Sequence, residues 1–378
     1  MPVARPRLGA LDLLRGVTVA GMIVVNNPGN WSSVFPQLTH APWHGVTAAD
    51  LIFPAFIFIM GVAMSLALPS TAPAGTRAQL YRRIARRAAL LVLLGLVLNA
   101  AAAWPHLESM RIPGVLQRIG LTYLAAAVIT VDTTGTEQWT IAAGLLMVHC
   151  ALLVIPLGGP ASGHLEPGRN IAAAIDRSLF GSHMLSPAGD PEGALGLLSS
   201  IATALLGSTA GRWLLRSPSA PGARPQLTRE VVWKFAAAGI CAIALAWVWA
   251  AILPLNKSLW TPSFALLTSG VATLCLVGAT LLDQSLMRPA LAPFFWLGTN
   301  PLAIYFLSEL TTDLVQLPWF TIGGHYTAPK DWFFWWVLAP RVGDSGGPWS
   351  SLIYALLYTG AWIGVAGMMR WRGVRFRV

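Results

Sequence analysis

Long apolar runs alternate with short polar breaks along the whole sequence. A helix that crosses a bilayer needs about 20 mostly apolar residues. Runs of that kind lie near 10–26, 50–68, 85–103, 114–132, 138–157, 195–214, 231–253, 261–282, 291–311 and 350–369. The pattern predicts an all-α, polytopic integral-membrane bundle of about ten transmembrane helices, with residues 1–378 forming one domain. Residues 1–26 have the basic start and apolar core of a signal peptide. Asp12 and Arg15 interrupt that core and no small-residue cleavage site follows, so the segment reads as a retained first span.

Basic residues fix the orientation. With the N-terminus in the cytoplasm, cytoplasmic segments hold Arg5, Arg7, the cluster Arg77, Arg82, Arg83, Arg86 and Arg87, a second cluster from Arg212 to Lys234, Arg288, and the arginines from Arg370 onward. The opposite side holds only Arg111, Arg169, Arg177, Lys257, Lys330 and Arg341. That asymmetry follows the positive-inside rule and puts both termini in the cytoplasm. Three longer segments, near 27–49, 158–194 and 312–349, then lie outside and carry most of the histidines.

Composition narrows the class. Hydrophobic residues make up 55% of the chain and charged residues 11%, with a mean hydropathy of +0.61. Soluble domains carry about 25% charged residues, so lipid must solvate most of this surface. A disordered chain, a disulfide-rich secreted module and a cytosolic enzyme are excluded. The net charge of +10 marks membrane orientation, and no nucleic-acid partner is expected. Cys150, Cys241 and Cys275 lie in apolar stretches without ligand spacing, so neither a disulfide framework nor a metal site is expected.

Candidate chemistry gathers at the outer ends of the spans. His40 and His44 lie in HAPWHG; Asn26 and Asn27 close the preceding span and Asp50 opens the next. An imidazole near a carboxylate and an amide suits acyl transfer: it can take a proton or carry an acyl group, and an amide N–H can stabilise an oxyanion. A loop histidine without such a role is the competing reading. In RIPGVLQR, Pro113 and Gly114 start a helix whose free N–H groups, with Arg111, Gln117 and Arg118, could hold a phosphate or carboxylate. A structural ion pair fits the same residues. Asp12 and Arg15, three apart, read as an internal ion pair. Asn300 and Glu309 are polar groups of the ninth span, and Trp43 and Trp260 are pocket candidates. GDPEG (189–193) and LNKSLW (255–260) read as turns entering helices.

Six segments occur in order: RLGALDLLRG at 7–16, VVNNPG at 24–29, HAPWHGVTAADLIFPAFIFIMG at 40–61, RIPGVLQRIGLTY at 111–123, GDPEGALG at 189–196 and LNKSLW at 255–260. Together they resemble the heparan-α-glucosaminide N-acetyltransferase family, which includes bacterial membrane relatives. The resemblance implies a helical bundle that moves acetyl from cytosolic acetyl-CoA to the amine of a glucosamine-type sugar or oligosaccharide on the outer side. It implies residence in a bacterial inner membrane, with homo-oligomers allowed. His40 falls on the family's active-site histidine, Asn26 on the asparagine that assists it, and Arg111 and Arg118 on its two arginines. Asp50 is assigned as orienter of the imidazole. Arg111, Gln117, Arg118 and Asn300 are assigned to the cofactor, and Trp43, His44 and Trp260 to the acceptor. The family often has Asn where this chain has His44. Two other readings stay open: an O-acetyltransferase of envelope polysaccharide, suggested by LDLLRG, and a solute transporter without covalent chemistry.

Overall fold

The computed structural model describes residues 8–69, 74–154, 165–216, 228–322 and 325–376. Helices α1 (Gly9–Asn26), α2 (Ala48–Ala67), α3 (Ala74–Ala103), α4 (Val115–Asp132) and α5 (Gly135–Val154) come first. A short helix, α6 (Ile171–Phe180), precedes α7 (Leu197–Arg216), α8 (Arg229–Ala250) and α9 (Pro262–Gln284). Then follow α10 (Ala292–Thr299), α11 (Pro301–Gln316), the short α12 (Pro329–Trp332) and α13 (Ala339–Val342), and α14 (Pro348–Trp371). A two-stranded hairpin, Phe320–Ile322 against His325–Thr327, is the only sheet among the described residues. Among the described residues, eight helices are long and apolar enough to span a bilayer, which establishes the all-α membrane architecture.

Burial sorts these helices into centre and rim. The apolar windows of α1, α2, α4 and α9 are 61–67% buried, whereas those of α3, α5, α8 and α14 are only 17–28% buried. The large apolar side chains exposed on the rim are Leu, Val, Ile, Met and Trp, as a lipid-facing surface requires. Helix α7 is central in another way. Its Ser199, Ser200, Thr203, Ser208 and Thr209 are all buried, and its polarity keeps it out of the eight. Helices in lipid gain little from burying apolar surface against each other, so close approach through small residues matters more. Gly61 of α2 meets the Ala204 carbonyl, and Gly207 of α7 meets the Phe58 carbonyl; a Cβ at either would collide with that backbone.

Two departures from the sequence pattern bear on the site. The span expected at 291–311 is broken: the helical stretch Arg288–Thr299 and α11 meet at 78°. Asn300 at the joint has φ −135 and ψ 51. The cause is local, since Pro301 lacks an N–H and disfavours helical geometry in the residue before it. The outer segments expected as loops also hold structure, namely α6, the hairpin and the turns from Pro329 to Val342. In the other direction, α3 extends 11 residues before the predicted start at 85, through the arginine cluster.

Candidate active site

The N-terminus of α2 builds the first part of the site. Thr47 is the N-cap and Asp50 the third helical residue, and each side chain bonds the other's backbone N–H. This reciprocal cap satisfies donors that a helix start leaves free. Asp50 is completely buried. Its Oδ2 accepts from Thr47 N (3.0 Å) and Ala41 N (3.1 Å), while Oδ1 lies 2.8 Å from His40 Nδ1. The carboxylate thus holds the imidazole by Nδ1 and leaves Nε2 available as an acceptor. His40 itself is 46% exposed, in the loop that leads into α2. The pairing expected between His40 and Asp50 is therefore present.

The second part comes from LNKSLW. Asn256 organises this turn: its Oδ1 accepts from Leu259 N (2.8 Å), and its backbone exchanges bonds with Thr261. Trp260 takes φ +48, a left-handed conformation that costs a bulky residue about 1–3 kcal/mol. Its ring is fully buried between Phe53, Phe264 and the Arg118 guanidinium. The turn is sewn to HAPWHG by Gly45 N to Leu255 O (2.9 Å) and by Asn256 Nδ2 donating to His44 Nδ1 (3.3 Å). Burial lowers the His44 pKa and favours its neutral ring. The same turn aims Lys257 at His40: Nζ lies 3.0 Å from Nε2, 3.1 Å from Nδ1 and 3.8 Å from Asp50 Oδ1. Sequence reasoning passed over Lys257, treating its segment as a turn.

Asn26 faces elsewhere. Its Nδ2 donates to Glu309 Oε1 of α11 at 3.0 Å, and among the described residues it makes no hydrogen bond to His40. Asn26 thus makes a polar link between α1 and α11. Trp260, expected in a ligand pocket, is a packed core residue with an unpartnered Nε1. Trp43 does line a cavity of about 250 Å³, with Asp176, Asp190 and Ser258, and its Nε1 donates to Leu165 O (2.6 Å).

The two arginines of RIPGVLQR are engaged by GDPEG. Arg111 Nε donates to Asp190 Oδ2 (2.7 Å), and its Nη2 bonds both Asp190 and Glu192. Burial alone would lower the Arg111 pKa, but the two carboxylates hold it above the ordinary value. Burial raises the Asp190 pKa, and the adjacent guanidinium more than reverses this, so it ends lowered. Arg118 is fully buried, with Nη2 donating to Gly193 O (2.8 Å) and Nε and Nη1 left without partners. Gln117 donates to Ile112 O within its own turn (3.0 Å). For Arg111 and Gln117 the structural reading accounts for the contacts.

Because Asp190 titrates lower when folded, its pair with Arg111 stabilises the fold above the ordinary carboxylate pKa. That contribution fades as pH falls through the lowered value. Breaking a buried pair costs about 3–5 kcal/mol; here Glu192 stays with Arg111, so Asp190→Asn should lose less than that. Thermal unfolding should show a lower Tm at pH 7 and a difference that shrinks toward pH 3. An unchanged Tm at pH 7 would show the pair to be inert.

The opposite side of the bundle holds two recesses. One, of about 310 Å³, is lined by Arg15, Arg87, Tyr123, Asn300 and Phe376 and runs up to Phe56 and Ile119. Arg87 lies 4.7 Å over the Tyr123 ring and its Nε has no partner. Asn300 closes the wall here: Nδ2 donates to Val374 O (3.1 Å) and Oδ1 accepts from Phe376 N (2.9 Å). The other recess, of about 580 Å³, shares Thr299 with it and carries Arg288, Arg370 and Arg375. Asn300 thus lies with the C-terminal end of α2, away from the His40–Asp50 pair at its N-terminus. Among the described residues, no group of three or more His, Cys, Asp or Glu could hold a metal ion.

The catalytic-region model of heparan-alpha-glucosaminide N-acetyltransferase matches residues 7–160. Heparan-alpha-glucosaminide N-acetyltransferase of Homo sapiens is 30% identical over 371 residues, covering 83% of this chain and 54% of that protein. The Mus musculus protein of the same name is 30% identical over 370 residues, covering 83% and 55%. The chain is thus similar to the heparan-α-glucosaminide N-acetyltransferases over most of its own length. It spans about half the length of the curated relatives it matches. The family's matched catalytic region holds Asn26, His40, Asp50, Arg111 and Arg118. The groups that meet them, Asp190, Glu192, Lys257 and Glu309, all come from beyond residue 160.

Proposed function

We propose that the chain transfers an acetyl group from acetyl-CoA, drawn from the cytoplasmic side, to the amine of a glucosamine-type sugar on the outer side of a bacterial inner membrane. One observation carries this reading. The His40–Asp50 pair stands at the outer mouth, while an arginine-lined cavity rises from the opposite side toward it. The top of that cavity, at Phe56, is six residues along α2 from Asp50, or about 9 Å at 1.5 Å per residue. The hydrocarbon is about 30 Å thick, and an extended pantetheine arm bridges much of it. The sugar then stays outside while the thioester comes to it.

In this mechanism the acceptor amine, in its neutral form, attacks the thioester carbonyl. His40 Nε2 takes the amine proton, and buried Asp50 stabilises the imidazolium through Nδ1. The carbon–sulfur bond breaks, and the proton passes to the departing thiolate. Transfer is direct, because a half-exposed imidazole would expose an acetyl-histidine to outer water. Asn26 is the proposed oxyanion donor, which requires its Nδ2 to exchange Glu309 for the developing charge. The Arg288, Arg370 and Arg375 recess and Arg87 would hold CoA phosphates at the cytoplasmic end. Trp43 offers a face for a sugar ring, with Asp176 and Asp190 beside it.

The direct test is CoA release by the purified protein against a panel of amino sugars and hydroxyl sugars. Release with an amino sugar supports the reading. Release only with hydroxyl acceptors would assign an O-acetyltransferase. Solute uptake into vesicles without CoA release would assign a transporter. Arg87→Ala should raise KM for acetyl-CoA roughly 10–100-fold, the equivalent of one charge-assisted hydrogen bond of about 1.5–3 kcal/mol. The acceptor KM should stay put. If both move together, Arg87 supports the fold and not the cofactor.

A further inference from the structure

Lys257 stands beside the imidazole proposed to take the acceptor's proton. Its Nζ lies against the His40 ring, 3.0 Å from Nε2 and 3.1 Å from Nδ1, the nitrogen that Asp50 holds. Its side chain is only 15% exposed. The loop that carries it is fixed by the Asn256 bonds and by the strained, buried Trp260. A primary amine is thereby kept within hydrogen-bond reach of a base without any acceptor present.

On the acetyltransferase reading above, we infer that Lys257 is an internal acceptor, acetylated by the enzyme itself when acetyl-CoA is present and no amino sugar competes. The step balances without another reactant. Neutral Nζ attacks the thioester carbonyl, an N–C bond forms and the C–S bond breaks. The amine proton goes to His40 Nε2 and then to the CoA thiolate, leaving an acetamide and free CoA. Burial lowers the Lys257 pKa, which raises the share of neutral amine. The acetamide would occupy the acceptor's place beside His40 and keep an amino sugar away from the base. Scarcity of acceptor would then silence the enzyme.

The sequence supplies its own controls, because its three lysines are Lys234, Lys257 and Lys330. Lys234 is well exposed and paired with Glu230 (2.6 Å); Lys330 is buried, with its Nζ over the Tyr354 ring. Indiscriminate acetylation by the thioester would mark Lys234 first. The full-length protein is incubated with acetyl-labelled acetyl-CoA alone, digested and analysed by mass spectrometry. The expected result is an acetyl group on Lys257, resistant to hydroxylamine, in excess over Lys234. Added amino sugar should suppress it. His40→Ala should lower it roughly 10²-fold or more, as loss of a general base does.

Label on Lys234 equal to or above that on Lys257 would overturn the inference. So would an unlabelled Lys257 in protein that releases CoA with an amino sugar, while the acetyltransferase reading stands. Hydroxylamine-labile label on the His40 peptide with Lys257 unmarked would overturn it too, in favour of a histidine carrier. Absence of both label and CoA release with every acceptor would remove the acetyltransferase reading and this inference together.

Discussion

His40→Ala is expected to lower turnover by roughly 10²–10⁴-fold, the usual loss on removing a general base, with the fold retained. The side chain is half-exposed and its ring bonds are confined to Asp50 and Lys257, so its removal leaves no large cavity. His44→Ala should cost far less. His44 receives one long bond from Asn256 and steadies the junction of two loops; nothing holds its second nitrogen toward a reacting atom. CoA release by the two variants, with circular dichroism to confirm folding, decides between them. A larger loss for His44→Ala would make His44 the base and His40 its neighbour.

Asp50→Asn should be nearly as damaging although the shape is preserved. A carboxylate accepts the Nδ1 proton and fixes the tautomer with Nε2 free. A carboxamide in the same place can present its NH₂ to Nδ1, which favours the opposite tautomer with a proton on Nε2. A base that already carries its proton cannot take another from the acceptor. In hydrolases with a Ser-His-Asp triad that exchange costs about 10⁴-fold in kcat, and a loss of that order is expected here. The remaining carboxamide oxygen can still accept from Thr47 N and Ala41 N, so stability should change little. Asp50→Ala, by contrast, orphans both donors at about 1–3 kcal/mol each and should lower Tm as well as kcat. Full activity in Asp50→Asn would show that the carboxylate serves the α2 cap alone.

The membrane helices were legible because lipid leaves few choices. A run that satisfies its own backbone and presents apolar side chains on all sides must be a helix. The His40–Asp50 pair was legible for a local reason, since ten residues and one helix start separate its members. Lys257 was not. Its contact with His40 spans 217 positions, and a lone lysine in an outer loop looks like any solvated charge. The same distance in sequence hid Glu309 behind Asn26, 283 positions apart. Arg111 looked available for a ligand because Asp190 and Glu192, about 80 positions on, read only as a turn. The break in the ninth span was different. Its signal, Asn300 followed by Pro301, was in the sequence, and the apolar residues on both sides masked it.

On the proposed function, the fastening of Val374 and Phe376 to Asn300 bears on how fast spent donor would leave. Two hydrogen bonds, at about 0.5–1.5 kcal/mol each, join this short extended stretch to the helix joint and complete the wall of the inner cavity. Detaching such a stretch is loop motion on a scale of about nanoseconds to microseconds, whereas sliding packed helices takes about microseconds to milliseconds. On the proposed function, CoA would then leave past the most lightly held part of the wall. Its exchange for a fresh thioester would need no rearrangement of the bundle, and α2 with Asp50, and the loop with His40 that Asp50 holds, would keep their places through turnover.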